Sequence, residues 1–153
     1  MTTIHIVADS PLPPDRVLAS GHDFSARRAQ IFSAVRLDHF DVHDLGEDWA
    51  DVTEGTPVGI GVNWERCRYD WSRPGSVKAI VTSSNVYAAP GSSWELRASP
   101  TAGGSRVEMI WVREFTRGPR GAIFGTLFRL AGKPIFGRYA RETLEHLRTL
   151  DHT

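Results

Sequence analysis

The sequence predicts an α+β fold, a curved antiparallel sheet of about seven strands closed by a long C-terminal helix. Three observations carry this. A strand and two short helical patterns come first. Residues 37–115 then read as strand-like segments cut by Gly/Pro turns. Last comes Gly121 to Leu150, helical in period and apolar on more than one side in its first half (Ile123, Phe124, Leu127, Phe128, Leu130). A curved sheet closed by such a helix makes a container. That order points to binding of, or chemistry on, a small apolar molecule.

Each element has its own signal. Ile4, Ile6 and Ala8 alternate with His5 and Val7 as a first strand. Pro13-Pro14-Asp15 opens a short helix, with a proline in the first turn and an acid near the positive end, and Gly21 suits its C-cap. Asp23 or Ser25 caps a second helix, in which Phe24, Ile31 and Val35 share a face while Arg27, Arg28 and Gln30 point to water. Turn signals at Gly46, Gly55 to Pro57, Pro74-Gly75, Pro90-Gly91, Gly103-Gly104 and Gly118-Pro119 bound strands near 37–44, 49–55, 58–71, 76–87, 93–99 and 105–115. Short loops between them favour antiparallel hairpins.

The last strand alternates Val107, Met109, Trp111, Arg113 and Phe115 against Arg106, Glu108, Ile110, Val112 and Glu114. The strand over 58–71 changes parity: Val58, Ile60, Val62 and Trp64 are apolar on one face, Cys67, Tyr69 and Trp71 on the other. A β-bulge that bends a long strand is the preferred reading, with a strand end passing from core to rim as the alternative. In the closing helix the stripe of Ile123, Leu127 and Leu130 shifts after Gly132-Lys133-Pro134 to Phe136, Ala140, Leu144 and Leu147. A kink, or two helices meeting at a turn, is expected there.

Composition narrows the function classes. The 153 residues suit a single domain over 1–153, and 41% hydrophobic with 24% charged residues is ordinary for a globular protein. Eighteen basic and 18 acidic residues balance, so no basic excess argues for nucleic acid. One cysteine, Cys67, excludes an intrachain disulfide and a multi-cysteine metal site. Met1-Thr2-Thr3-Ile4-His5 lacks the basic and apolar regions of a signal peptide, and no apolar run approaches a membrane span. A cytoplasmic protein without stable membrane insertion is expected, as a monomer or homodimer.

With these elements in place, the chain resembles the START-like (SRPBCC) superfamily, in its polyketide cyclase/dehydrase and lipid-transport branch. Pro14-Asp15-Arg16-Val17 through Phe24 resembles that family's opening helix pair. Trp94-Glu95-Leu96 followed by Gly103-Gly104-Ser105-Arg106-Val107 resembles its penultimate hairpin, and Leu127, Leu130-Ala131-Gly132, Leu144 and Leu147 fit its closing helix. The resemblance implies a helix-grip fold, in which a seven-stranded sheet wraps the long helix around a cavity. It sets the container and leaves the chemistry open, because the family spans carriers, aromatase/cyclases, hormone receptors and co-chaperones. A cavity-lining role carries over to Trp64, Trp94, Met109, Trp111, Arg113, Phe124, Leu127 and Phe128, whose strand or helix parity supports it.

Other constellations weigh less. His39, Asp41 and His43 alternate as zinc ligands would, but the pattern also describes the wet face of a strand, and no metal or organic cofactor is expected. Cys67 between Arg66 and Arg68 would favour its thiolate only if exposed. No serine sits on a strand–Ser–helix elbow, and Gly55, Gly59 and Gly61 precede no helix. An interaction-only protein with its pocket filled by side chains is a third reading beside two functions: a carrier or sensor that binds a small hydrophobic, polyketide-like or lipid-like molecule, and a cyclase/dehydrase acting on a bound poly-keto chain. A titratable pair facing the cavity separates them, with His22, Tyr69, Asp70 and Arg113 as candidates.

Overall fold

The computed structural model describes residues 1–59 and 61–151. Seven strands form one sheet: β1 (Thr2–Ser10), β2 (Phe40–Leu45), β3 (Trp49–Val58), β4 (Gly61–Asp70), β5 (Ser76–Ser84), β6 (Ser93–Thr101) and β7 (Gly104–Arg113). Their order is β1-β7-β6-β5-β4-β3-β2, and every neighbouring pair is antiparallel. Two short helices, α1 (Pro14–Gly21) and α2 (Arg28–Ile31), follow β1, and α3 (Pro119–Asp151) closes the chain. This is the helix-grip arrangement.

Alternation decides which side chains enter the core. On β7, Val107, Met109, Trp111 and Arg113 are all buried, on the parity that the sequence assigns. Trp94 lies opposite Trp111, and Leu96 opposite Met109, so β6 and β7 build one aromatic and aliphatic wall. The first strand pairs with β7 along its whole length, which leaves the long helix to cross over β1. Gly132 eases that crossing: a Cβ there would sit 2.5 Å from Ile4 Cδ1, so a larger residue would require the Ile4 side chain to move. Proline-containing α3 nevertheless runs unbroken through Pro134. The expected division into two helices is therefore not found. The proline removes a single backbone donor, and packing on both sides of it holds the helix together.

The segment expected as one strand over 58–71, with its apolar parity changing beyond Glu65, is divided near its start, and within β4 the outward Val62 and Trp64 give way to the inward Cys67 and Tyr69. Val58 pairs with Gly61, so a tight turn, not a bulged continuous strand, separates β3 from β4. Gly59 opens it at φ +59°, a conformation that favours glycine. Ile60 lies outside the described residues. Inward-facing positions consequently run 50, 52, 54, 56 on β3 and 63, 65, 67, 69 on β4. A real bulge sits one strand further on, where Arg66 and Cys67 face Ser83 and Val81 and leave Thr82 unpaired on β5.

The second helical segment also departs from expectation. Helix α2 is a single turn, preceded by an Asp23 side chain that accepts from the Ser25 N–H and hydroxyl. Ile31, Phe32 and Val35 are buried, but so is Arg28, at 2% exposure, where periodicity put it in water.

Candidate functional site

A cavity of about 310 Å3 lies between the β3–β4 half of the sheet, the segment Arg28 to Val35, and the middle of α3. Its walls are largely aromatic: Phe32, Tyr69, Tyr87, Trp94, Trp111 and Phe136. Phe32 and Tyr69 each meet Trp94 edge-on, with centroids 6.0 and 6.5 Å apart, while Phe136 tilts against Trp111 at 4.7 Å. Such mutual contacts fix the rings and keep the walls apart without filling the space. Val58, Trp64 and Ile135 border the cavity while being 41%, 37% and 61% exposed, which locates its mouth.

Two arginines and two glutamates line this largely apolar space, together with Thr56 and Asn63. Arg28 Nε donates to Glu54 Oε1 at 2.5 Å, its Nη1 to the carbonyls of Gly21 and Asp23, and its Nη2 to the Tyr69 hydroxyl at 3.0 Å. Phe24, Phe32 and Tyr69 also offer ring faces to its guanidinium, at 4.7 to 5.2 Å. Burial opposes this charge, but the attraction and hydrogen bond of Glu54 outweigh it and hold the pKa above the ordinary arginine value. The Tyr69 hydroxyl is pushed well up by burial, and then by Glu54, so it stays protonated.

Arg113 is treated differently. Its Nη1 donates to the Ser93 carbonyl at 3.3 Å and lies 3.8 Å from Glu65 Oε2, too far for a hydrogen bond. Tyr87 lies under its guanidinium at 4.4 Å. Among the described residues, Arg113 Nε and Glu65 Oε2 are buried and find no hydrogen-bond partner. Burial raises the Glu65 pKa above the usual carboxylate range, and the Arg113 charge only partly offsets this.

Of the residues singled out from sequence, Trp64, Trp94, Trp111 and Arg113 border the cavity, Trp64 only at its mouth. Met109, Phe124, Leu127 and Phe128 do not. Met109 is core beneath β7, and Phe128 packs between Phe115 and Phe136. Phe124 is half-buried under Arg120, and Leu127 is 55% exposed. In this half of α3, Gly132 packs on Ile4 of β1 and Gly125 on Phe115, and Leu127 falls on the opposite, exposed side. Ile135, Phe136 and Tyr139 supply the helical wall instead.

The candidate titratable groups also separate. Tyr69 and Arg113 line the cavity, while Asp70 is exposed and accepts from Ser72. His22 stacks on Trp71 at 4.6 Å, and burial lowers its pKa. Glu54 and Glu65, the cavity carboxylates, were not singled out, although each shares strand parity with buried neighbours, Val52 and Cys67. Cys67 itself is buried, which pushes its thiol far up and leaves it unreactive. Among the described residues no three His, Cys, Asp or Glu side chains gather as a metal site. His39 lies in a 3-10 turn and His43 is the extra residue of a bulge against β3, where it meets Thr53 Oγ1 at 2.7 Å.

No family model matches the chain, and no curated protein matches it. Solved structures do. A Thermus thermophilus protein superposes with a TM-score of 0.78 at 12% identity, over 97% of this chain and 99% of that one. The Zhui aromatase/cyclase from Streptomyces sp. R1128 gives 0.72 at 12% identity, over 95% and 90%. A START superfamily protein from Mycobacterium smegmatis gives 0.63 at 10% identity, over 96% and 92%. Identities this low speak to the fold alone, and the fold is START-like. No helix among the described residues is long and apolar enough to cross a membrane.

Proposed function

We propose that the chain acts as one START-like domain that holds a small, largely apolar molecule, polyketide-like or lipid-like, in the cavity between the sheet and α3. The observation that carries this reading is the cavity of about 310 Å3 walled by aromatic rings, a size within the usual range for small-molecule sites. Aromatic walls favour a flat or ring-bearing ligand. Trp94 and Trp111 form one wall, Phe136 and Tyr139 the other, and Trp64 flanks the way in. Arg113 and Glu65 retain unused hydrogen-bonding capacity, so the ligand's oxygen-bearing end belongs there. The protein works without a metal or organic cofactor, in the cytoplasm, as a monomer or homodimer.

A second reading, a cyclase/dehydrase, draws support from the same pair. A carboxyl group with a raised pKa holds a proton more readily than an ordinary carboxylate and can pass it on, and a neighbouring guanidinium stabilises negative charge on a carbonyl oxygen. Confinement of a poly-keto chain would supply the rest of the rate.

Native mass spectrometry of freshly purified protein tests the first reading, with a co-purifying small molecule as the expected result. A panel of fatty acids and aromatic compounds provides the independent arm. At 100 times its Kd a ligand of the folded state adds about 2.7 kcal/mol of stability. No adduct and no stabilising compound would overturn the reading. Incubation with a poly-keto surrogate separates the two functions: return of the compound unchanged supports binding, and loss of water from it supports the enzyme.

A further inference from the structure

We infer that the first half of α3 is a docking surface for an anionic lipid bilayer. The apolar side chains expected to face inward form a stripe on the outside. Ile123, Leu127 and Leu130 are 60%, 55% and 79% exposed, and Pro134 continues the line. At roughly 100° per residue these four positions fall within an arc of about 60°, opposite Gly121, Phe128 and Gly132, which face the protein. A helix that is buried on one side normally turns charge to water on the other. Here the outward centre is apolar.

Charge says what covers it. Residues 115–141 include Arg117, Arg120, Arg129, Lys133, Arg138 and Arg141 and not one aspartate or glutamate, so the rest of this neutral chain is net acidic. All six cations are exposed, and one of them, Arg138, pairs with Glu142 just beyond this stretch at 2.9 Å. Arg120 and Arg138 project on one side of the stripe, Lys133 and Arg129 on the other. An apolar ridge flanked by cations is the arrangement that seats a helix in the headgroup layer of an anionic membrane. A second copy of the chain is a poor occupant, because stripe-to-stripe contact would press like charges together.

Position ties the surface to the cavity. Ile135, one residue beyond the stripe, is 61% exposed and also borders the mouth. Arg120 reaches Asn63 near the tip of the β3–β4 hairpin, whose Val58 borders the same mouth at 41% exposure. A bilayer seated on α3 would therefore lie beside the opening, and an apolar ligand could pass between them with little exposure to water.

The test is co-sedimentation of the full chain with vesicles of phosphatidylcholine alone and of phosphatidylcholine mixed equally with phosphatidylglycerol. Binding is expected to the anionic vesicles only. It should disappear at 1 M salt, where the screening length falls to about 3 Å. Replacing Arg129 and Lys133 with Gln lowers partition about 25-fold, near fivefold for each cation. Leu127→Ser with Leu130→Ser lowers it at least tenfold, and thermal unfolding should be unchanged because both side chains are exposed. Equal binding to neutral vesicles, binding to neither, or full binding by the serine variant would overturn the inference. So would sedimentation equilibrium showing that the stripe joins copies of the chain.

Discussion

Arg28 and Arg113 both line the cavity, and both are nearly inaccessible to water, at 2% and 5% exposure. Their surroundings differ. Arg28 spends every nitrogen on a partner: Glu54, two backbone carbonyls and the Tyr69 hydroxyl. Among the described residues, Arg113 has one long bond to Ser93, a glutamate beyond hydrogen-bond reach and an unpartnered Nε. The first arrangement fastens the opening segment onto β3 and β4 and leaves no capacity for a ligand. The second holds a charge in place and leaves it underused. Of two buried arginines in one cavity, the incompletely satisfied one is the better candidate for a ligand contact.

Removing each arginine should break the comparison in opposite ways. Arg28→Met leaves Glu54 facing an apolar side chain and should cost about 3–5 kcal/mol in urea unfolding. Arg113→Met should cost clearly less, because the partner left behind, Glu65, escapes its burial by taking up a proton. Similar losses for both variants would erase the distinction between fastening and holding.

A milder change probes the same contrast. Tyr69→Phe deprives Arg28 Nη2 of its hydrogen-bond acceptor among the described residues and should destabilise by about 1–3 kcal/mol. A fully fastened arginine feels the loss of one partner. An unchanged unfolding midpoint would mean that water replaces the hydroxyl and that the Arg28 end is open.

The smallest expected effect is in pH dependence. Glu65 has a folded-state pKa above its ordinary value of 4.5, so its contribution to stability is fully present below that value and is lost as pH rises through the raised one. The stability of the wild type relative to Glu65→Gln should therefore decline on going from acid toward neutral pH. In an Arg113→Met background the decline should extend to higher pH, because the offsetting charge is gone. A difference that stays flat across this range would place Glu65 in a wetter setting.

The sequence made the architecture legible where one strong period rules. Alternation along β7 assigned Val107, Met109, Trp111 and Arg113 to the inside, and the Gly/Pro punctuation placed most of the strands. It misled where a local signal was ambiguous. Gly55 to Pro57 looked like the turn, yet β3 continues through them to Val58 and turns at Gly59. Arg28 could not have been found, since its burial is sustained by Glu54 and Tyr69, far along the chain on other strands. The first half of α3 is the instructive miss. Apolar side chains around much of a helix are compatible with burial or with an external partner. In the fold, Gly132 and Phe128 face the protein and Ile123, Leu127 and Leu130 lie on the outer side.

The central claim is that the cavity accepts a flat, mostly apolar ligand with its polar end at Arg113. Trp94 and Trp111 line that cavity, so their fluorescence reports on its occupancy. Titrating the protein with naphthoate and with its neutral isostere naphthamide tests the claim most directly. The wild type should show saturable quenching by both compounds. Arg113→Met should weaken naphthoate about tenfold or more, the worth of a charge-assisted hydrogen bond, and leave naphthamide nearly unchanged. No saturable response to either compound, or equal weakening of both by Arg113→Met, would contradict it.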